Sequence, residues 1–151
     1  MLRKMVVLAI LWGGTLIPLQ AQSNDRLDEL LAQAPARLDS TAYLVLSEGA
    51  LVSEDSTPAD AFQAAVTAGL LPKGSVPEGT VSVQTLSYLV LKALKFQGGL
   101  EWTFLPSPRA AYRELAYRQL INTSAGPDRT VAGDEVVRTL SAVRTLQGGA
   151  P

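Results

Sequence analysis

Aromatic and basic side chains interleave between Glu101 and Arg118: Trp102 and Phe104 alternate, then Arg109, Tyr112, Arg113, Tyr117 and Arg118 follow. Guanidinium groups beside aromatic faces suit a sugar or a partner protein. Trp102, Arg109, Arg113 and Tyr117 are therefore the candidate contact residues. At 100° per residue, Ala111, Tyr112, Leu115 and Ala116 form the core face of a helix there. Glu114 and Arg118 pair at i,i+4 on its solvent side. Tyr117 and Ile121 fall off the core face. Either a neighbouring unit packs over them, or they join Arg113 in an aromatic patch, to which Lys92 and Lys95 of the preceding helix could add charge.

Reactive chemistry is poorly provided for. The 151 residues contain no His and no Cys, which removes the usual general base, thiolate nucleophiles, zinc-thiolate sites and disulfides. No metal site and no cofactor is expected. Lys73-Gly74-Ser75 has the wrong order for a phosphate loop, which needs Gly-Lys-Ser/Thr opening a helix. Glu54-Asp55 and Asp134-Glu135 are carboxylate pairs, but acids collect at helix starts through the peptide dipoles. Acid–base catalysis would require Asp134, Glu135 or Glu101 to meet another carboxyl across a cleft. A non-enzymatic role is expected. With 13 Lys+Arg against 14 Asp+Glu, the chain also lacks the basic face that nucleic acid requires.

The N-terminus reads as an export signal. Arg3 and Lys4 precede an apolar run from Met5 to Leu19, and Ala21 supplies a small residue before Gln22. The run is short against the roughly 20 residues that cross a bilayer, so no stable membrane span is expected after cleavage. Residues 1–21 are thus assigned to a signal peptide and 22–151 to one domain. Loss of Arg3 and Lys4 leaves 11 basic residues against 14 acidic. A cysteine-free exported chain points to a bacterial periplasm or cell envelope.

The elements that must position the candidate residues are helices. Leu27, Leu30, Leu31 and Ala34 make a first apolar stripe before Pro35, and Asp39 or Ser40 can cap a second helix through Tyr43, Leu44 and Leu46. Thr57-Pro58-Ala59-Asp60 marks a helix start with a hydroxyl cap, Pro and an acid, and Gly69 marks its stop. Ser82 caps a helix extending through Phe96, ended by Gly98-Gly99. Trp102 and Phe104 belong to a short extended stretch. Ser107-Pro108 starts a helix to about Ile121, and a last one runs from about Gly133 to Gly148-Gly149.

Shifted by 50 residues, 62–99 overlies 112–149 without a gap: Leu70 meets Leu120, Pro77 meets Pro127, Thr80-Val81 meets Thr130-Val131, and Gln97-Gly98-Gly99 meets Gln147-Gly148-Gly149. Tyr43-Leu44-Val45-Leu46 echoes Tyr88-Leu89-Val90-Leu91. The expected fold is mainly α, with three tandem helix–loop–helix units at about 25–53 (degenerate), 58–99 and 107–149.

Ala64 to Gly74, and Val81-Ser82-Val83-Gln84-Thr85-Leu86, resemble the S-layer homology repeat: a first helix and its turn, then an Ile-Thr-Arg-Ala-Glu-Phe-like motif. Val131 to Val136 holds the same place in the next unit. Val83 and Gly133 stand where the motif has Arg, and only Glu135 keeps its acid. The resemblance implies a three-unit helical fold and association with cell-wall polymer. The alternative is an accessory subunit that contacts an envelope protein through exposed helix faces.

Overall fold

The computed structural model describes residues 19–148, with side chains from Asn24 onward; most of the signal segment lies outside the described residues. Seven helices occur among them: α1 (Leu19–Leu31), α2 (Leu38–Glu48), α3 (Pro58–Thr67), α4 (Val83–Ala93), α5 (Leu100–Phe104), α6 (Pro108–Tyr117) and α7 (Gly133–Gly148). The chain is mainly helical, as its periodicity predicts. Helix α1 spans the expected cleavage point between Ala21 and Gln22. Among the described residues the buried apolar core begins at Leu30 and ends at Val143.

The helix starts follow the local sequence. Thr57 accepts from the Asp60 amide at 3.1 Å, and the Asp60 carboxylate accepts the Thr57 amide at 3.2 Å, a reciprocal capping box. Ser82 and Ser107 cap α4 and α6 through the amides of Thr85 and Ala110. At α2, however, the N-cap position is Arg37, with no side-chain cap. Asp39 lies inside the first turn, where its carboxylate accepts two hydrogen bonds from Arg37, at 3.1 and 2.6 Å.

The α3 stop at Gly69 is as expected, while those of α2, α4 and α6 depart from expectation, and all four share one geometry. Helices α2, α3, α4 and α6 each end in a left-handed residue: Ala50, Gly69, Lys95 and Gln119, with φ of 55°, 69°, 51° and 58°. The next amide reaches back five residues each time, Leu51 to Leu46, Leu70 to Ala65, Phe96 to Leu91 and Leu120 to Leu115, at 2.8–2.9 Å. This is the Schellman closure, with an apolar residue following the left-handed one. One stop of the four uses glycine. Hence α4 ends at Ala93, short of Phe96, and α6 ends at Tyr117, short of Ile121.

The three units close into a ring. Helices α2, α4 and α7 pack against one another at the centre, while each unit's first helix packs on the preceding unit's second: α3 on α2, α6 on α4 and α1 on α7. At one end, three extended residues are joined cyclically. The Ala36 amide donates to Val131 O (2.8 Å), Val131 to Val81 O (2.9 Å) and Val81 to Ala36 O (3.2 Å). The starts of the central helices extend the pattern, with Leu38 donating to Gly79 O, Val83 to Arg129 O and Gly133 to Gln33 O. These bonds pair backbone groups that burial would otherwise orphan. The degenerate first unit thus has a full structural share.

Gly133 explains one departure from the repeat pattern. A Cβ there would lie 1.7 Å from Leu30 O, so the closing junction admits no side chain. Leu38 and Val83 hold the equivalent positions, and both are buried in the core. The position that Leu38, Val83 and Gly133 share is therefore interior in all three units.

Candidate functional site

The four candidate contact residues divide sharply. Trp102 is buried at 6% exposure, with its remaining surface in a depression beside Lys92 and Lys95. Its stretch is the short helix α5, not extended chain, and the ring turns inward. Its indole Nε1 donates to Phe96 O at 3.1 Å, its ring meets Tyr88 edge to face at 5.9 Å, and the Lys92 ammonium lies 5.5 Å over it. Gly98 serves this packing, since a Cβ there would come within 2.6 Å of the indole. The first half of the expected double-glycine stop is thus a seat for Trp102.

Arg109, Arg113 and Tyr117 are successive i,i+4 positions on the exposed face of α6. Arg113 pairs with Glu101 of α5 at 2.6 Å, and Arg109 makes no ion pair among the described residues. Tyr117 is 87% exposed. Packing by a neighbouring unit does not cover it; Ile121, half-buried, packs against the core instead. Glu114 and Arg118 pair as expected at 2.6 Å, and Glu114 also accepts the Gly99 amide, which holds the start of α5.

Three acids considered for catalysis are each engaged by arginine. Glu101 pairs with Arg113, Asp134 with Arg138 at 3.0 Å, and Glu135 with Arg129 at 2.6 Å. The last pair is bidentate and mostly shielded from water. Arg129 also donates to Asn122 O, tying the loop before α7 to that helix. Glu135 raises the pKa of the Arg129 guanidinium chiefly by hydrogen bonding. Glu135 is thus occupied in holding a loop. No group of three or more metal-ligating side chains occurs among the described residues.

Concave surface recurs at matching places in two units. In the first, a groove of about 250 Å³ opens between α1 and α2, with Asn24, Arg26, Ser40, Ser47, Glu48 and Glu54 on its walls. Tyr43 forms part of its floor but is covered by the Arg26 guanidinium, 4.6 Å above the ring. In the third unit a groove of about 320 Å³ lies between the turn that follows α6 and α7, lined by Gln119, Asn122, Glu135 and Arg138. A further groove of about 270 Å³ lies between the first and third units and is largely apolar, with Arg144 and Glu48 paired at its edge. The grooves of the first and third units had no signal in the linear sequence, because their walls come from residues separated by a loop whose path depends on the ring.

No helix among the described residues is long and apolar enough to cross a membrane. Comparison with known proteins finds no match to this chain among family models, curated proteins or solved structures.

Proposed function

We propose that this is an exported, non-enzymatic binding module of the bacterial cell envelope that associates with cell-wall polymer. The observation that carries the reading is the recurrence of a groove beside the second helix of a unit, in the first and third units, of mixed lining in the first and mainly polar in the third. Hydroxyl, amide, carboxylate and guanidinium groups converge in these grooves, the donor and acceptor set that a polyhydroxylated chain requires. Two such grooves on one rigid ring match a ligand that itself repeats, and simultaneous engagement raises avidity without new contacts.

The test is co-sedimentation of residues 22–151 with purified sacculi. Asn24→Ala/Ser47→Ala and Asn122→Ala/Arg138→Ala each remove two polar side chains from one groove's wall. Pelleting that falls in either variant and is lost when both are combined supports polymer binding. Wild-type protein that stays in the supernatant overturns it.

A second reading, an accessory subunit that binds an envelope protein, draws on the stripe Arg109, Arg113 and Tyr117. An almost fully exposed Tyr beside arginines is the residue set enriched at protein interfaces. Arg109→Ala/Tyr117→Ala separates the readings, because it spares both grooves.

A further inference from the structure

The connection between the second and third units carries an apolar surface that the ring does not use. Leu100, Phe104 and Leu105 are 78%, 75% and 73% exposed, three large side chains within six residues. Around them, the connection is held by Trp102 beneath, by the Gly99 amide on Glu114 and by the Arg113–Glu101 pair. The outward residues could all be polar without loss of those contacts. A projecting cluster of this kind on a small domain signals a surface that is covered in use.

Charge indicates what covers it. The acids beside α5 are neutralised, Glu101 by Arg113 and Glu114 by Arg118. Lys92, Lys95 and Arg109 make no ion pair among the described residues. Lys92 and Lys95 share a depression with Thr103 and Pro106 at the edge of α5, and Arg109 lies four residues beyond Leu105. The exposed apolar side chains thus share this region with three cations that no carboxylate pairs among the described residues, of which Lys92 lies over the Trp102 and Tyr88 rings. A second copy joined about a two-fold axis would set these cations against their own kind.

We propose that α5 docks on an anionic lipid surface, with Leu100, Phe104 and Leu105 entering the boundary between headgroups and acyl chains and Lys92, Lys95 and Arg109 meeting the headgroups. Short apolar protrusions bordered by basic residues bind in this way without spanning the bilayer. Each cation held near an anionic leaflet contributes roughly a factor of five in affinity. The site goes beyond the polymer grooves and involves none of their residues.

The experiment is vesicle co-sedimentation of residues 22–151, with phosphatidylglycerol-containing vesicles beside pure phosphatidylcholine. The expected result is binding to the anionic vesicles alone. Leu100→Ser/Phe104→Ser/Leu105→Ser should weaken it roughly a hundredfold, since most of the apolar transfer is removed. Lys95→Gln/Arg109→Gln should weaken it about 25-fold. Circular dichroism confirms that both variants fold, and Phe104→Trp reports insertion independently through a blue shift with anionic vesicles. Absence of binding to anionic vesicles overturns the proposal, as does binding that the serine variant retains. Concentration-dependent self-association abolished by the serine variant, without vesicle binding, overturns it in favour of a second copy.

Discussion

The two connections that carry the chain from one unit to the next do the same topological work with opposite chemistry. Between α2 and α3, residues 49–57 form a short connection, polar from Ser53 to Thr57 and with one exposed large apolar side chain, Leu51. Tyr43 donates its hydroxyl to Glu54 O at 2.8 Å, Arg26 donates to Ser56 O at 2.5 Å, and Glu54 and Asp55 face solvent. Between α4 and α6, residues 94–107 add the helix α5, bury one Trp, expose three large apolar side chains and border them with cations. Both deliver the chain to a hydroxyl cap followed by Pro. Since the shorter connection suffices to join neighbouring units, the extra length and apolar content of the longer one are not demanded by the ring. The first face can remain in water, whereas the second gains free energy when covered.

The largest perturbation of this contrast is Trp102→Ala. It empties the space between α4 and α5 and frees Phe96 O, and truncation of a buried aromatic costs about 3–5 kcal/mol. Chemical denaturation should show that loss, and amide exchange should show residues 98–105 opening first. An unchanged midpoint would mean that α5 is not anchored through its indole. A smaller effect is expected at the first connection, where Thr57→Ala removes one half of the α3 capping box and should cost about 1 kcal/mol.

The smallest effect is a pH response confined to the first connection. The Thr57 hydroxyl, then its amide, hold the Asp60 carboxyl below its ordinary value near 3.8. A depressed carboxyl contributes fully above its unfolded pKa, and that contribution is lost as pH falls through the lower folded value. Below pH 3.8, amide exchange at the start of α3 should therefore rise, and Asp60→Asn should abolish the dependence. The start of α6 should show no matching response, because Ser107 caps it with Ala110, not an acid, at the third position. A response of equal size at both helices would break the comparison.

Much of the ring was legible one element at a time. Thr57, Ser82 and Ser107 identify helix starts because a hydroxyl cap acts through its own amide neighbours. The 50-residue shift identifies the second and third units because their buried positions coincide. Helix ends were less legible, since Ala50, Lys95 and Gln119 accept the left-handed conformation that local reading assigns to Gly. Their Schellman bonds are stabilised by an apolar residue whose burial depends on the rest of the molecule. For the candidate site, Arg109, Arg113 and Tyr117 were readable as one stripe from helical spacing alone. Trp102 was not, because alternation with Phe104 in five residues fits a strand or a helical turn, and only the space above Gly98 selects between them.

By itself the sequence determined six of the seven described helices, the capped starts of α3, α4 and α6 and a three-unit organisation, all of which follow from interactions within about four residues or from periodic burial. The tertiary structure alone decided that the units close cyclically, that Gly133 is required by the Leu30 carbonyl, that Trp102 points inward and that Leu100, Phe104 and Leu105 do not. These outcomes depend on which backbone passes within contact distance of which side chain. Residues such as Leu30 and Gly133 are more than a hundred positions apart, and only the assembled ring brings them together.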